Sequence, residues 1–215
     1  MEAVLKIGGS ICLDPAALKK LCLEIGKLSS NYRLAIVPGG AVFADEVRLC
    51  YRIFHVSEEA AHKMAILAMS QYGLLIADLT PNSKPVYTIK ECLESGSEGF
   101  IPILLPHRIL EEEDPLPPSW DVTSDSISAY VAYLLNVKLL ILIKNVDGVY
   151  DEYGRLLRIV GLNWLRQHDS CLDRFFPEIV VKLKARCFIV NGLHPERIAS
   201  LLAGERTIST EILID

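Results

Sequence analysis

Two short apolar segments of this chain each end in a pair of glycines, and each pair opens a helical pattern. The first is Ala3–Ile7 followed by Gly8-Gly9-Ser10, and the second is Arg33–Val37 followed by Pro38-Gly39-Gly40. Glycine has no Cβ and can adopt φ > 0, so its N–H groups can converge on an anion. One such turn is often an ordinary tight turn. Two of them on neighbouring strands predict two phosphate-binding loops that face each other, with Lys6 within reach of the same anions.

The rest of the chain alternates helical and strand periodicities, and half of its residues are hydrophobic. This alternation is typical of a three-layer α/β/α sandwich with a mostly parallel central sheet. At 215 residues we expect one domain, residues 1–215. The expected helices are Pro15–Leu28, Ala41–Phe54, Ser57 to about Ala77, Ser124–Leu135, Trp164–Gln167, Pro177–Lys184 and Pro195–Ala203, with a helical turn near Glu91–Leu93. The further expected strands are Val86–Thr88, Phe100–Leu104, Lys138–Ile143, Arg186–Val190 and Glu211–Ile214, with a hairpin of Val149–Tyr150 and Leu156–Ile159 and a loop over His107–Ser119 that holds the acidic run Glu111–Asp114.

Charge and composition exclude several functional classes. The net charge is −5 and no Lys/Arg run is present, which argues against a nucleic-acid partner. No apolar segment approaches the roughly 20 residues that a membrane-spanning helix needs, and the N-terminal strand follows no export signal, so we expect a cytoplasmic protein without a membrane partner. The six cysteines form no Cys-x-x-Cys pair. We therefore expect reduced thiols and no zinc site.

The chemistry is indicated by an ordered set of motifs. The two common nucleotide-binding signatures, Gly-x-x-x-x-Gly-Lys-Ser/Thr and Gly-x-Gly-x-x-Gly, are absent. The set that is present comprises Lys6-Ile-Gly-Gly-Ser10, Val37-Pro-Gly-Gly40, Trp120-Asp-Val-Thr-Ser-Asp-Ser126 and Lys144-Asn-Val-Asp-Gly-Val-Tyr150. In this order and spacing the set resembles the amino acid kinase family over nearly the whole chain.

Within that family, four segments are similar to the archaeal kinases of methanofuran biosynthesis, which phosphorylate [5-(aminomethyl)furan-3-yl]methyl phosphate to the diphosphate. They are Val37–Asp45, His62–Tyr72, Ser119–Ser126 and Ile189–Arg197. The resemblance implies an ATP-dependent phosphotransferase whose acceptor is a small phosphate monoester. The alternatives are uridylate or isopentenyl phosphate kinase, or a non-catalytic member of the same fold that binds or stores an anion.

The resemblance also implies site residues. Lys6 and Asp125 correspond to the family's catalytic lysine and organising aspartate, and Gly8, Gly9 and Ser10 to its phosphate-binding loop. Gly39, Gly40, Ala41, Thr123 and Ser124 correspond to the acceptor site, and Lys144, Asp147, Tyr150 and Asp151 to the nucleotide site. The implied cofactors are ATP and Mg²⁺, with the cation carried by the nucleotide rather than by protein ligands. Relatives form homo-oligomers, for which the apolar helix at 60–77 is either the contact surface or simply an internal face.

Physical chemistry agrees with these roles and leaves some alternatives open. A phosphate acceptor is largely ionised near neutral pH, since its second pKa is about 6, so no general base is required. Asp125 could instead be a helix N-cap, and Asp147-Gly148 only a turn. Ala41 and Ser209 stand where many relatives have glycine. The second catalytic lysine of some relatives has no clear match, because Lys182 and Lys184 lie in the right region without its motif.

Overall fold

The computed structural model describes residues 1–112 and 115–214, and the strand Ala3–Ile7 lies near the centre of its sheet. All five residues of this strand are buried. The described residues form ten strands: β1 Ala3–Ile7, β2 Leu34–Pro38, β3 Ser83–Val86, β4 Ile101–Leu104, β5 Leu139–Lys144, β6 Val149–Tyr150, β7 Leu156–Leu157, β8 Ile159–Gly161, β9 Arg186–Asn191 and β10 Thr210–Leu213.

Eight of these strands form one sheet in the order β3-β4-β2-β1-β5-β9-β10-β8. All neighbours are parallel except β9 and β10. The remaining two strands, β6 and β7, pair antiparallel as a small hairpin. Because β2 lies on one side of β1 and β5 on the other, the chain changes direction across the sheet at β1. Ligands of open α/β sheets bind outside the carboxyl ends of the strands at such a point.

Helices cover both faces of the sheet. They are α1 Pro15–Leu28, α2 Ala41–Phe54, α3 Glu58–Leu79, α4 Ile89–Ser97, α5 His107–Glu112, α6 Ser124–Leu134, α7 Leu162–Gln167, α8 Phe176–Val180 and α9 Glu196–Leu202, with a 3₁₀ helix at Gly9–Leu13. Helices α1 and α9 pack on the face that carries Leu5 and Ile7, whereas α6 and α8 pack on the face that carries Val4. The predicted α/β/α sandwich with a mostly parallel sheet is confirmed.

The elements between β2 and α6 differ from the prediction. The strand expected at Val86–Thr88 ends at Val86, because Thr88 accepts a hydrogen bond from the Glu91 N–H and so caps α4, which extends well beyond the predicted turn. The predicted loop at His107–Ser119 is wrong over its first six residues, which form α5 directly after Pro106 and bury Leu110. Residues 113 and 114 of the acidic run lie outside the described residues.

The second difference concerns the predicted partner strand of the hairpin. Only Leu156–Leu157 pairs with β6, and Ile159–Gly161 continues as β8 at the edge of the main sheet. There β8 runs parallel to β10, with Val160 buried against the core. The chain therefore passes from the hairpin into the sheet within a few residues.

Candidate active site

Two lysines from adjacent strands contact one buried aspartate at the carboxyl end of the sheet. The Nζ of Lys6 on β1 donates to Asp125 Oδ1 at 2.7 Å, and the Nζ of Lys144 on β5 donates to Asp125 Oδ2 at 2.7 Å. Lys6 and Asp125 are each only 3% exposed. Asp125 thus bridges two ammonium groups, and we call these three residues the lysine–aspartate cluster.

The strand register explains how the cluster forms. Lys6 pairs with Leu142, and Lys144 lies two residues further along β5. Side chains alternate between the faces of a strand, so Lys6, Leu142 and Lys144 share the face that α6 covers. Asp125 lies in the first turn of α6 and meets both lysines there.

Burial and pairing act against each other on the three charges. Burial alone would raise the pKa of Asp125, but the ammonium groups of Lys6 and Lys144 outweigh it and hold that pKa below its usual range. Burial lowers the pKa of Lys6, with Asp125 opposing the effect. Burial also acts to lower the pKa of Lys144, but Asp125 raises it overall. The carboxylate therefore stays ionised at neutral pH.

Asp173 completes the surroundings of the cluster and was not found from the sequence. Its Oδ2 accepts hydrogen bonds from the Thr123 N–H and hydroxyl, at 3.0 and 2.8 Å, and from the Ser126 N–H at 3.0 Å. Its Oδ1 accepts from the Ser126 hydroxyl. Asp173 is thus the residue that caps α6, and the alternative in which Asp125 is that cap is wrong.

The two glycine loops contact each other through their backbones. A Cβ added to Gly9 would lie 2.5 Å from the Ala41 nitrogen, and one added to Gly39 would lie 2.6 Å from the Gly9 nitrogen. None of the four glycines at 8, 9, 39 and 40 has a positive φ, so the predicted reason for glycine is wrong. Close approach of two backbones is what requires glycine here. The residue of this region in the left-handed conformation is Ala41, with φ 49°.

In each loop the first glycine bonds to a strand of the sheet and the second lines a cavity. The Gly8 N–H donates to the Ile143 carbonyl and the Gly39 N–H to the Ile7 carbonyl, both at 2.8 Å. The next residues, Gly9 and Gly40, line a cavity of about 320 Å³. The structure therefore places the second glycine of each pair at the candidate phosphate site, and the first glycine in the sheet.

This cavity combines polar and apolar walls and is the candidate acceptor pocket. The glycine loops and the start of α6 contribute Ser10, Ala41, Thr123 and Ser124 to its lining, in addition to the two glycines. Ile66, Met69, Val122 and Ile127 supply apolar surface, and Trp120 lies at one side with the Arg48 guanidinium 5.4 Å above its ring. Asp45, Glu58 and His62, from α2 and α3, also line the cavity. Of the five residues predicted for the acceptor site, Gly40, Ala41, Thr123 and Ser124 line this cavity and Gly39 does not.

Comparison with known proteins agrees with this geometry. Residues 1–162 match the model of the amino acid kinase family. The chain is 35% identical over 212 residues to a [5-(aminomethyl)furan-3-yl]methyl phosphate kinase of Methanocaldococcus jannaschii, covering 98% of this chain and 97% of that protein. The chain belongs to the amino acid kinase family. It is also 26% identical over 233 residues to a uridylate kinase of Pyrococcus abyssi, covering 98% of this chain and 99% of that protein.

A solved structure shares the fold of this member of the amino acid kinase family. The crystal structure of uridylate kinase from Archaeoglobus fulgidus superposes with a TM-score of 0.79 at 21% identity, covering 99% of this chain and 100% of that chain. The resemblance expected from the motifs is thereby confirmed. Family membership makes the chain a phosphotransferase, and a phosphoryl group in transfer is stabilised mainly by positioning and positive charge. The lysine–aspartate cluster holds two ammonium groups at the carboxyl end of the sheet, where the first glycine loop follows Lys6.

The residues predicted for the nucleotide site of this kinase are not all brought together. Lys144 lies in the cluster, where its Nζ also donates to the Cys171 carbonyl. Asp147 Oδ1 accepts from Asn191 Nδ2 at 3.0 Å and from Arg197 Nη1 at 2.5 Å. These contacts show that Asp147-Gly148 is more than a turn, since Asp147 ties the end of β5 to β9 and α9.

The other two predicted nucleotide residues belong to the hairpin. Tyr150 is exposed on β6. Asp151 accepts hydrogen bonds from the N–H groups of Tyr153 and Arg155, both at 2.9 Å, and from Arg155 Nε at 2.8 Å. Its carboxylate thus closes the β6–β7 turn. Contact of either residue with a nucleotide stays a prediction.

The structure also shows where the residues that depart from the family's pattern lie, namely Lys182, Lys184 and Ser209. Lys182 and Lys184 are exposed beside Tyr133 and Asn136, on a different cavity from the lysine–aspartate cluster. Lys144 is instead the second ammonium at Asp125. Ser209 is buried, and its hydroxyl donates to the Thr207 carbonyl at 3.4 Å.

Metal and membrane features were searched over the described ranges, 1–112 and 115–214. Within them, no group of three or more His, Cys, Asp or Glu side chains is arranged to hold a metal ion. Within the same ranges, no helix combines the length and apolar character needed to cross a bilayer.

Proposed function

We propose that this chain is an ATP-dependent kinase that phosphorylates [5-(aminomethyl)furan-3-yl]methyl phosphate to the corresponding diphosphate. The observation that carries the proposal is the acceptor pocket. It is lined by Gly9 and Gly40 of the two glycine loops, by the apolar side chains of Ile66, Met69 and Ile127, and by Asp45 of α2 and Glu58 of α3. These three surfaces match a phosphate, a furan ring and an ammonium group, which are the three parts of that molecule.

The phosphate fits the loop end of the pocket. The second glycines of the two pairs, Gly9 and Gly40, lie there at the starts of the 3₁₀ helix and α2. Helix N-termini present N–H groups and favour anions. Because the acceptor phosphate is already ionised, transfer needs no general base.

The ammonium group of the proposed acceptor suits a carboxylate of α2 or α3 in the pocket lining. Asp45 is paired with Arg48 at 2.7 Å and is thus partly neutralised, whereas Glu58 lies in the first turn of α3. Glu58 is therefore the carboxylate that we propose to contact the aminomethyl group. A charge-assisted hydrogen bond of this kind is stronger than a neutral one.

The donor side follows from the cluster. The ammonium of Lys6, fixed by Asp125, stabilises the phosphoryl group during transfer, and Gly8, Gly9 and Ser10 form the loop beside it. Lys144 supplies a second positive charge, and we propose that Asp147, Tyr150 and Asp151 border the nucleoside. The first glycine loop packs against the backbones of Ala41 and Ile143, and we propose that it binds the ATP phosphates. Mg²⁺, when bound with ATP, would neutralise phosphate charge, its ligands being phosphate oxygens and water.

Uridylate kinase is the second candidate, and the 26% identity to the Pyrococcus abyssi enzyme supports it. Uridylate has a phosphate but no ammonium group, so it leaves Glu58 without a partner. A non-catalytic anion-binding protein is the third. The buried Lys6–Asp125 pair favours catalysis over storage, since it keeps a fixed cation beside the loop.

An acceptor panel with ATP and Mg²⁺ tests these candidates. We expect diphosphate product from the furan phosphate, and little from uridylate or isopentenyl phosphate. Glu58→Gln should raise KM for the furan phosphate about tenfold, equivalent to 1.4 kcal/mol, with no change for an analogue that lacks the amino group. Glu59→Gln is the matched control, because Glu59 pairs with Lys63 at the surface outside the pocket. Faster turnover of uridylate, or equal KM values for the two variants, would contradict the proposal.

We also propose that the enzyme is a homo-oligomer that works in the cytoplasm. Large apolar side chains are exposed on α2 and α3, namely Leu49, Ile53, Phe54, Leu67 and Leu74. Contiguous exposed apolar surface of this kind is typical of protein contacts. All six cysteines are free thiols, which suits a reducing compartment. Light scattering of the purified chain should give a multiple of 23.9 kDa, and Ile53→Glu should reduce that mass.

A further inference from the structure

Asp173 connects three parts of the site although it lies in an irregular segment between α7 and α8. Its two carboxylate oxygens accept four hydrogen bonds from Thr123 and Ser126, the residues at the start of α6. Its own N–H donates to Asp125 Oδ2 at 3.3 Å. The carbonyl two residues earlier, on Cys171, accepts from Lys144. The segment therefore contacts both the aspartate and one lysine of the cluster.

The capping of α6 depends on this distant residue. Thr123 occupies the N-cap position, but its side chain makes no capping hydrogen bond within the helix. An N-cap acceptor satisfies N–H groups that the first turn leaves free. In α6 the acceptor is the carboxylate of Asp173, which lies 47 residues along the chain from Ser126 and 50 from Thr123. The position of Asp125 in the same turn consequently depends on Asp173.

Asp173 also closes the charge balance. Lys6 and Lys144 carry two positive charges, whereas Asp125 carries one negative charge. Burial and the charge of Asp125 raise the pKa of Asp173, whereas the hydrogen bonds from Ser126 and Thr123 favour its ionised form. With the Asp173 carboxylate ionised, the four groups sum to zero. An unbalanced buried charge is costly, so a neutral group of four is more stable than a group with net charge.

We propose that Asp173 is a positioning residue for phosphoryl transfer, which fixes the first turn of α6 and balances the second lysine of the lysine–aspartate cluster. This inference rests on the proposed kinase function. It assigns to Asp173 no contact with substrate. Its effect is exerted through Asp125, Lys6 and Lys144.

Asp173→Asn separates the charge from the cap. The Asn side-chain oxygen can still accept from the Thr123 and Ser126 N–H groups, but the negative charge is lost. We expect kcat to fall at least tenfold, since small misplacement of catalytic groups is expensive, with KM for both substrates within about threefold. Ser126→Ala removes one capping hydrogen bond and no charge, and Asp169→Asn removes an exposed charge from the same segment. Both controls should stay within about twofold of wild type.

A pH profile tests the charge directly. The groups that face the two lysines are Asp125 from α6 and Asp173 and Cys171 from the segment before α8. Asp173 raises the pKa of both lysines, so its loss should move the alkaline limb of kcat to lower pH. Ser126→Ala should leave that limb in place. Equal kcat and equal alkaline limbs for Asp173→Asn and Asp169→Asn would overturn the inference.

Melting temperatures supply a test that needs no substrate. Asp173→Asn leaves the group with one excess positive charge, and Lys144→Met leaves one excess negative charge. The double variant is neutral again, so its fall in melting temperature should be smaller than the sum of the single falls. Strict additivity would overturn the charge-balance inference even if wild type phosphorylated no acceptor in the panel. That last result alone would refute the proposed function and leave the melting test intact.

Discussion

The lysine–aspartate cluster and the β6–β7 hairpin both hold paired charges, but they hold them in opposite environments. In the cluster, Asp125 and Lys6 are buried and each oxygen of the carboxylate meets an ammonium group. In the hairpin, the Asp151 side chain is 17% exposed and pairs with Arg155, whose side chain is 74% exposed. The sequence predicts a ligand contact for Asp125 and for Asp151 alike. The comparison indicates that loss of charge at Asp151 lowers the free energy of unfolding less than loss of charge at Asp125.

Access to solvent determines how much free energy is lost when each ion pair is broken. Breaking a buried pair leaves a charge without water or partner and costs about 3–5 kcal/mol. Exposed pairs are worth about 0–1 kcal/mol, because water replaces the lost partner. The same Asp→Asn substitution in the two regions therefore measures the contrast.

Asp125→Asn should have the largest effect. It removes the carboxylate that Lys6 and Lys144 both contact, so we expect a loss of about 3–5 kcal/mol in unfolding free energy and a fall in turnover of roughly a hundredfold or more. The stability that the ionised Asp125 supplies is present above the unfolded pKa of about 3.9 and is lost as pH falls through its lower folded pKa. Denaturant melts and initial rates on one preparation check both effects. A variant that melts and turns over like wild type would break the comparison.

Asp151→Asn should have a small effect. Asn retains an oxygen for the Tyr153 and Arg155 N–H groups and loses only the exposed ion pair, so stability should change by less than about 1 kcal/mol. If Asp151 borders the nucleoside, KM for ATP should rise a few-fold with kcat unchanged. Steady-state kinetics with varied ATP measures this. A large fall in kcat would mean that the hairpin, like the cluster, takes part in transfer.

Ala41→Gly should have the smallest effect and an opposite sign. Ala41 has φ 49°, a conformation that costs an L-residue about 1–2 kcal/mol. Glycine removes that strain but is more flexible when unfolded, at about 0.5–1 kcal/mol. We expect a net gain of up to about 1 kcal/mol, or at most about 2–4 °C in melting temperature for a chain of this size. Calorimetry measures the shift, and a clear destabilisation would show that the Ala41 methyl is needed for packing.

The sequence predicted the parts of the site that local patterns encode. A strand before a glycine pair is a local signal, and it located Lys6 and the loops, whereas Asp125 was found through the family motif that contains it. Asp173 has no such signal, because its partners lie 47–50 residues away and its own segment is irregular. Lys144 was found through its motif, but its partner was not. Strand register decides that contact, and one sequence does not state register.

The glycines teach a similar lesson about causes. Their positions were predicted from freedom at positive φ, yet all four have negative or extended backbones and the strained residue is Ala41. What glycine provides here is the absence of a side chain between two backbones. That condition depends on tertiary packing, which a pattern in one segment does not reveal.

The backbone contact between the two glycine loops has a consequence for how acceptor choice can change. Gly9 and Gly39 approach so closely that the spacing between the two glycine loops is set by main-chain atoms. Side-chain substitutions elsewhere cannot readily alter that spacing. The side chains that α2, α3 and Trp120 contribute to the pocket have no such restriction. On the proposed function, an enzyme with this fold can therefore exchange one phosphorylated acceptor for another by substitutions among those side chains, while the spacing of the two loops stays unchanged.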